Sequence, residues 1–209
     1  MKVDVKVKIC GITNYKDAEA ACDFGADALG FVFSKSPRKI SPEKAREIIR
    51  RLPPYVTAVG VFVNERKERV LEIAGYCRLD RIQLHGDESL DYCKYLKKYY
   101  KIIKAIRVGG RESLKTLNDH GVDAILLDTY VKGMSGGTGQ KFDWDIAVKA
   151  GKTKTPLILS GGLDVNNIEG AIRKVRPYAV DASSGLESAP GKKDHGLMKK
   201  FIEKAKRTK

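Results

Sequence analysis

TPLILSGGLDVNNIEGAIRKVRPYAVDASSGLE, residues 155–187, contains two short apolar runs of the β type with one amphipathic helical pattern between them. Both runs are almost continuously apolar, as strands of a parallel sheet are when helices cover both faces. Each run ends in a small, polar, glycine-containing turn, LSGGLD or DASSGLE. A strand, a helix and a strand in this order predict a βαβ unit with functional loops at the carboxyl ends of its strands.

The same alternation extends over the whole chain. We expect helices to begin at Asn14, Ser41-Pro42, Asn64, Asp87, Asp164 and Asp194, with two more at 111–121 and 143–150, and to end at Gly25, Gly121 and Gly151. The predicted strands are 5–10, 27–33, 56–63, 79–85, 101–108, 122–128, 155–160 and 178–184.

Eight β/α units fit either an open doubly wound sheet or a closed barrel. Polar or small residues follow all of the predicted strands, and barrel active sites draw residues from the ends of many strands, so the pattern favours the barrel. The sequence predicts a (β/α)8 TIM barrel that forms a single compact domain over residues 1–209. The glycine-rich loop 129–142 lacks a P-loop signature and is expected to be a flexible lid.

Composition narrows the class of protein. The chain has 209 residues, 42% of them hydrophobic, and no apolar stretch long enough to span a membrane. No signal-peptide pattern is present, so a cytoplasmic enzyme is expected. The 4 cysteines show neither C-x-x-C spacing nor a Cys/His cluster, which predicts reduced thiols and no zinc site. Nothing in the sequence suggests a metal or another cofactor.

The formal net charge of +14 raises nucleic-acid binding as an alternative. However, the basic residues are interspersed with acidic ones on helical faces, as in SPEKAREIIRR, and no motif combines basic and aromatic residues. A basic surface that attracts a small anionic metabolite is favoured instead, with neither a nucleic acid nor a membrane as partner.

The two loops of the opening segment predict a phosphate site. Glycines allow backbone N–H groups to approach an anion closely, and barrels often hold phosphate between the loops after strands 7 and 8, beside a short extra helix. Ordinary glycine turns are the structural alternative. The sequence does not decide between side chains and backbone groups as ligands; the candidates are Gly161, Gly162, Asp181, Ser183, Ser184 and Gly185.

Strand alternation brings further ionisable groups into the upper barrel. Lys8 shares a face with Cys10, which ends the first strand, and a buried lysine needs a partner, either Asp128 or Asp181. His85 ends the fourth strand, on the same face as Gln83. Each of these residues alone also fits a structural role, but their convergence on one rim favours a site.

KICGIT at the first strand resembles the signature of the phosphoribosylanthranilate isomerase family. GADALGFVF, SPRKISP, VGVFVN, QLHG, LLDT, GGTG, FDW, LSGGL, VDASSGLE and PGKKD follow in the order of that family and cover nearly the whole chain. The resemblance implies an aldose–ketose isomerase of tryptophan biosynthesis. Its reaction would be the Amadori rearrangement of N-(5-phosphoribosyl)anthranilate, an anionic phosphorylated substrate, to 1-(2-carboxyphenylamino)-1-deoxyribulose 5-phosphate.

The resemblance also implies roles for individual residues. Cys10 matches the general base, Asp128 the general acid, and Arg38 the residue that meets the anthranilate carboxylate. His85 either orients the substrate or caps the barrel. The acid must carry a proton, so we expect the pKa of Asp128 to lie above about 3.9. The base must be a thiolate, so we expect the pKa of Cys10, beside Lys8, to lie below about 8.5.

Neighbouring families compete with this interpretation. The histidine-pathway Amadori isomerase is expected to carry an aspartate on its first strand, where this chain has Cys10. Indoleglycerol-phosphate synthase has a lysine and glutamate pattern and an N-terminal extension that are missing here. A barrel without catalysis is disfavoured because Cys10, Asp128 and Arg38 occur together. Monomer and homodimer both fit the sequence.

Overall fold

The computed structural model of the chain describes residues 4–107, 121–128, 144, 147–148 and 155–208. Eight parallel strands close into a barrel, each paired with the next and the last paired with the first, so the predicted (β/α)8 barrel is confirmed over the open sheet. The strands are β1 Lys6–Cys10, β2 Ala28–Val32, β3 Thr57–Phe62, β4 Arg81–Leu84, β5 Lys101–Arg107, β6 Ala124–Asp128, β7 Leu157–Ser160 and β8 Ala179–Ala182.

Apolar side chains cover both faces of the barrel wall, which explains why the strands are almost continuously apolar in sequence. The outward-facing residues, among them Phe31 and Leu84, pack against the helices. The lumen is filled by small and branched side chains: Val59, Ile103, Ala105, Ala124, Leu126, Ile158 and Ala179. Alternation along each strand produces these two layers and directs the polar residues at the strand ends to one rim.

Six α-helices surround the barrel in the described part of the chain. A short 3-10 helix, Ser184–Leu186, and a hairpin of two short strands, β9 Glu187–Ala189 and β10 Lys192–Lys193, connect β8 to the last helix. The helices are α1 Tyr15–Asp23, α2 Pro42–Ile49, α3 Lys67–Cys77, α4 Leu90–Lys97, α5 Ile168–Val175 and α6 His195–Arg207.

Three of the predicted helix starts are confirmed by their capping hydrogen bonds. The side chains of Asn14, Ser41 and Asp194 accept from the backbone N–H groups three residues later, at the N-termini of α1, α2 and α6. Gly25 also ends α1 as predicted, because its φ of +95° is the left-handed conformation that a glycine adopts easily.

The starts predicted at Asn64 and Asp87 are wrong, because these residues bind each other rather than the helices. The Asn64 side chain accepts from the backbone N–H of Asp87 at 2.7 Å. Helix α3 therefore begins at Lys67 without a side-chain cap, and α4 begins after Ser89. A hydrogen bond between the loops after β3 and β4 thus forms in place of the two helix caps that the sequence predicts.

The start predicted at Asp164 is displaced by three residues. Asn167 is the N-cap of α5, and the Asp164 carboxylate accepts from the N–H groups of Asn166 and Asn167 in the turn before the helix. Competition of this kind between turns and caps is typical of Asp and Asn.

The glycine-rich loop 129–142 and nearly all of the predicted helices 111–121 and 143–150 lie outside the described residues, as does Gly151. Within the described ranges, no helix is both long and apolar enough to cross a membrane. Cys10, Cys22, Cys77 and Cys93 are all free thiols, as the sequence predicts.

Candidate active site

The carboxyl ends of the strands bring the predicted residues to one end of the barrel. Cys10 ends β1, Asp128 ends β6 and His85 directly follows β4. Arg38 follows β2, and the two glycine-containing turns follow β7 and β8. This is the end at which barrel enzymes hold their active sites.

Lys8 finds its partner in Asp181, which settles the choice between Asp181 and Asp128. The Lys8 Nζ lies 2.8 Å from Asp181 Oδ1, and both side chains are buried. Ser160 donates to the other carboxylate oxygen at 3.3 Å. Burial lowers the pKa of Lys8, but the charges of Asp181 and Cys10 outweigh it, so the pKa is raised and the ammonium stays charged.

Cys10 lies beside this pair. A Cβ added to Gly30 on β2 would lie 2.7 Å from Cys10 Sγ and 3.1 Å from Lys8 Nζ, so the glycine leaves space for both groups. Burial raises the pKa of the Cys10 thiol by more than Lys8 and Lys193 lower it. The expectation of a lowered pKa is therefore wrong, because burial outweighs the charge of Lys8 and Asp181 raises the pKa of Cys10 further.

His85 binds the carboxylate at the end of β6. Its Nε2 lies 3.1 Å from Asp128 Oδ2, and its Nδ1 lies 3.0 Å from the side-chain nitrogen of Gln83. The side chains of His85 and Asp128 are each 22% exposed, whereas Gln83 is fully buried. His85 thus connects a buried amide to a carboxylate that solutes can reach.

Arg38 is held by a glutamate that the sequence analysis missed. Its Nε and Nη2 donate to the two carboxylate oxygens of Glu187 at 2.8 and 2.7 Å. Lys193, whose side chain is fully buried, donates to Glu187 at 2.9 Å and to the Ser183 carbonyl at 3.2 Å. The signal was present in the quoted motifs, since VDASSGLE ends in Glu187 and PGKKD contains Lys193.

Opposing effects act on the pKa values of Glu187 and Lys193. Burial raises the pKa of Glu187, but hydrogen bonds from Arg38 and Lys193 outweigh it and hold the pKa below its usual value. Burial lowers the pKa of Lys193 by more than Glu187 raises it. The hydrogen bonds from Arg38 and Lys193 thus favour the ionised form of Glu187, whereas burial disfavours the charged form of Lys193.

The loops after β7 and β8 pack backbone against backbone. Gly161 and Gly162 have positive φ, +86° and +63°, and a Cβ on Gly185 would lie 2.3 Å from the Leu163 carbonyl oxygen. The Ser183 hydroxyl is buried and has no hydrogen-bond partner among the described residues. The short helix expected here is the three-residue 3-10 helix Ser184–Leu186.

A separate cavity of about 470 Å³ opens at the opposite end of the barrel. Its lining includes Lys6, Tyr55 and Arg81, at or near the amino-terminal ends of the strands. Because barrel catalysis takes place at the carboxyl ends, this cavity is not part of the candidate site.

The closed barrel and the ionisable side chains at one of its rims define the class of protein, a (β/α)8-barrel enzyme. The family model described as N-(5'phosphoribosyl)anthranilate (PRA) isomerase matches residues 7–204. The chain belongs to this family.

Individual relatives agree with the family model. The N-(5'-phosphoribosyl)anthranilate isomerase of Thermotoga neapolitana is 51% identical over 203 residues, which cover 97% of this chain and 98% of that protein. The solved phosphoribosyl anthranilate isomerase from Thermotoga maritima has a TM-score of 0.91 at 48% identity and covers 97% and 98% of the two chains. Another solved isomerase, in complex with reduced 1-(o-carboxyphenylamino)-1-deoxyribulose 5-phosphate, has a TM-score of 0.88 at 46% identity, with the same coverage.

The predicted family and isomerase activity are thereby confirmed, as is the place in tryptophan biosynthesis. The histidine-pathway and nucleic-acid alternatives are disfavoured, since the family model spans nearly the whole chain. These comparisons concern the family and its reaction, and the roles of Cys10, Asp128 and Arg38 are argued below from the geometry of the site.

Proposed function

We propose that this chain converts N-(5'-phosphoribosyl)anthranilate to 1-(2-carboxyphenylamino)-1-deoxyribulose 5-phosphate, with Asp128 as general acid and Cys10 as general base. The observation that carries the proposal is the grouping of two ionisable pairs at one rim, Cys10 beside Lys8 and Asp128 beside His85. The solved relative that holds a reduced form of this product supports the choice of substrate.

The reaction needs one proton donated and one removed. Asp128 gives its proton to the ring oxygen while the bond from that oxygen to C1′ breaks and the anthranilate nitrogen forms a Schiff base at C1′. The Cys10 thiolate then removes the proton from C2′, which gives an enolamine. The enolamine gains a proton at C1′ and loses one from its hydroxyl to become the ketone, so substrate and product have the same composition.

The raised pKa of Cys10 determines how the base works. Near neutral pH only a small fraction of the buried thiol is ionised, and the thiolate that forms is stabilised by the ammonium groups of Lys8 and Lys193. The general base therefore acts through a minor ionised fraction that grows as the pH rises.

We assign the phosphate to the loops after β7 and β8. Backbone N–H groups of Gly161, Gly162, Ser184 and Gly185 would supply donors, as in other anion-binding turns. The Ser183 hydroxyl would add a side-chain donor, since it is buried and lacks a partner among the described residues.

Asp181, which the sequence analysis included among the phosphate ligands, serves instead as the counter-ion of Lys8. Both of its carboxylate oxygens accept hydrogen bonds inside the barrel, from Lys8 and Ser160. An ionised carboxylate has no donor to offer a phosphate.

The substrate's carboxylate would bind Arg38 on its outer edge. Glu187 occupies the Nε–Nη2 edge of the guanidinium, which leaves the Nη1–Nη2 edge for a second two-point interaction. A lysine offers no such second edge.

The test is conversion of freshly made N-(5'-phosphoribosyl)anthranilate, followed by loss of its fluorescence, for the wild type, Cys10→Ser and Asp128→Asn. We expect both variants to lose at least about 10²-fold in kcat, since each removes a proton-transfer group. Unimpaired turnover in either variant would disprove the role of that residue. No conversion by folded wild type would disprove the proposed function.

Two further properties belong to the proposal. A solved structure from Thermotoga maritima, 45% identical, is described as monomers generated from a dimeric isomerase. We infer a homodimer here also, and light scattering after size exclusion would distinguish it from a monomer of 23.2 kDa. A cytoplasmic location fits a biosynthetic enzyme with four free thiols.

A further inference from the structure

A fully buried amide lies beneath the proposed general acid. Gln83 on β4 has its side-chain nitrogen 3.0 Å from His85 Nδ1. Its side-chain oxygen, Oε1, is also buried and has no hydrogen-bond partner in the described ranges. Buried carbonyl groups are rarely left unpaired, because each costs free energy comparable to that of a lost hydrogen bond. An apolar residue at position 83 would avoid this cost.

His85 connects the amide to Asp128, and a neutral imidazole carries one N–H. When Gln83 donates to Nδ1, that N–H is on Nε2 and donates to Asp128, which suits the ionised carboxylate. When the Gln83 amide rotates so that its oxygen and nitrogen exchange places, Oε1 accepts from an N–H on Nδ1. Nε2 is then an acceptor, and it suits the protonated carboxyl group of Asp128.

Both arrangements fit the same heavy-atom positions, since amide oxygen and nitrogen are nearly equivalent in shape. Because Oε1 forms no hydrogen bond with another described residue, this rotation of the amide breaks no hydrogen bond apart from the one to His85. Glutamine is suited to this task because it is uncharged and offers both a donor and an acceptor.

We propose that Gln83 is a positioning residue for the isomerisation, and that its amide lets His85 change tautomer as Asp128 loses and regains its proton. The inference rests on the proposed role of Asp128 as general acid. It assigns a task to a residue that touches neither the substrate nor the reacting atoms.

Other charged groups surround this relay. Arg107 on β5 donates to the His85 carbonyl at 3.4 Å. Behind the loop after β4, Lys104 and Glu88 form a buried ion pair at 2.8 Å. Lys8 and Asp181 form another buried ion pair, beside Cys10. The variants below alter none of these charged side chains, so a change in the His85 tautomer reports on position 83.

The first experiment reads the tautomer directly by ¹⁵N NMR of the histidine rings. The chain has 3 histidines, and the His85 signals are identified by their loss in His85→Asn. At pH 7.5 we expect the wild-type N–H on Nε2, as in the arrangement in which the Gln83 side-chain nitrogen donates to Nδ1. In Gln83→Glu, whose carboxylate only accepts, we expect an N–H on Nδ1. A His85 ring whose Nδ1 stays without a proton in Gln83→Glu overturns the proposal.

The second experiment is steady-state kinetics of Gln83→Glu, Gln83→Met and a matched control, Ile103→Leu. Ile103 is the neighbour of Gln83 across β4 and β5 and also faces the lumen. We expect kcat to fall at least about 10-fold in both Gln83 variants, with KM within about 3-fold, since proton transfer and not binding is affected. Ile103→Leu should keep kcat within about 2-fold.

Wild-type turnover in a folded Gln83→Met would overturn the proposal, as would an equal loss in Ile103→Leu. Failure of the general-acid assignment is distinguishable, because it appears as an active Asp128→Asn enzyme, whereas the tautomer in Gln83→Glu is measured without catalysis.

Discussion

Glu187 shows how one side chain organises the substrate end of the barrel. It accepts two hydrogen bonds from Arg38 and one from Lys193, and its side chain is only 5% exposed. Two cations close to each other need this carboxylate, and a buried charge left without its partner is costly. The orientation of Arg38, and so the binding of the substrate carboxylate, depends on Glu187.

Replacement of Glu187 by Gln should therefore destabilise the protein in a pH-dependent way. The folded-state pKa of Glu187 is lowered, so its stabilisation is fully present above the ordinary glutamate pKa of about 4.3 and is lost as the pH falls through the folded value. We expect Glu187→Gln to lower the free energy of unfolding by about 2–4 kcal/mol at pH 7.

Urea unfolding of wild type and variant measures this difference, which should shrink between about pH 5 and pH 3 as the wild-type carboxylate gains its proton. A difference that is constant with pH would show that shape, and not charge, accounts for the effect.

At the scale of single elements, β2 packs closely against β1 because a glycine lies opposite Cys10. Gly30 lies opposite Cys10 in the register of the two strands, and an added Cβ would lie 2.7 Å from Cys10 Sγ and 3.1 Å from its Cα. An alanine here forces the sulfur or the strand to move. A displacement of about 1 Å in a catalytic group can cost 10²-fold in rate.

We thus expect Gly30→Ala to lose about 10²-fold in kcat in the fluorescence assay while remaining folded. The matched control is Gly75→Ala on α3, where the nearest atom to a new Cβ is the Tyr100 hydroxyl at 3.9 Å. That change should keep full activity and stabilise the helix by about 0.5–1 kcal/mol. Equal activity of the two variants would contradict the proposed placement of Cys10.

The elements also show where sequence reasoning succeeds and fails. Strands and their polar ends follow from patterns within a few residues, so all eight strands and the location of Cys10 and Asp128 at strand ends could be predicted. The mutual bond of Asn64 and Asp87 joins residues 23 apart, and Glu187 binds Arg38 across 149 residues. Such pairings depend on the closed barrel, and the local sequence does not contain them.

The pKa of Cys10 shows the same limit. Its neighbour Lys8 is visible in the sequence, but the burial that dominates the pKa, and the choice of Asp181 as counter-ion, arise only when β8 pairs with β1.

At the scale of the whole molecule, the net charge of +14 acts on a substrate that carries a phosphate and a carboxylate. A positive surface raises the local concentration of such an anion and its rate of association. The reach of this field is about 30 Å at 0.01 M salt and about 10 Å at 0.1 M. Contacts inside the site, such as the partly buried Arg38–Glu187 pair, are screened less.

The two contributions predict a particular response to salt. Between about 0.01 and 0.3 M salt, kcat/KM should fall by about 3- to 10-fold as the surface field is screened, while kcat stays within about 2-fold. Saturable binding of a phosphorylated anthranilate analogue should weaken to a similar extent.

A nucleic-acid-binding surface would behave differently, because affinity that depends on many phosphate contacts falls by about 10³-fold or more over a comparable range. Measurement of kcat/KM and of binding to a mixed-sequence RNA in the same salt series separates the two. Tight, steeply salt-dependent RNA binding would give the basic surface a second function, and a salt-independent kcat/KM would show that the net charge has no part in substrate capture.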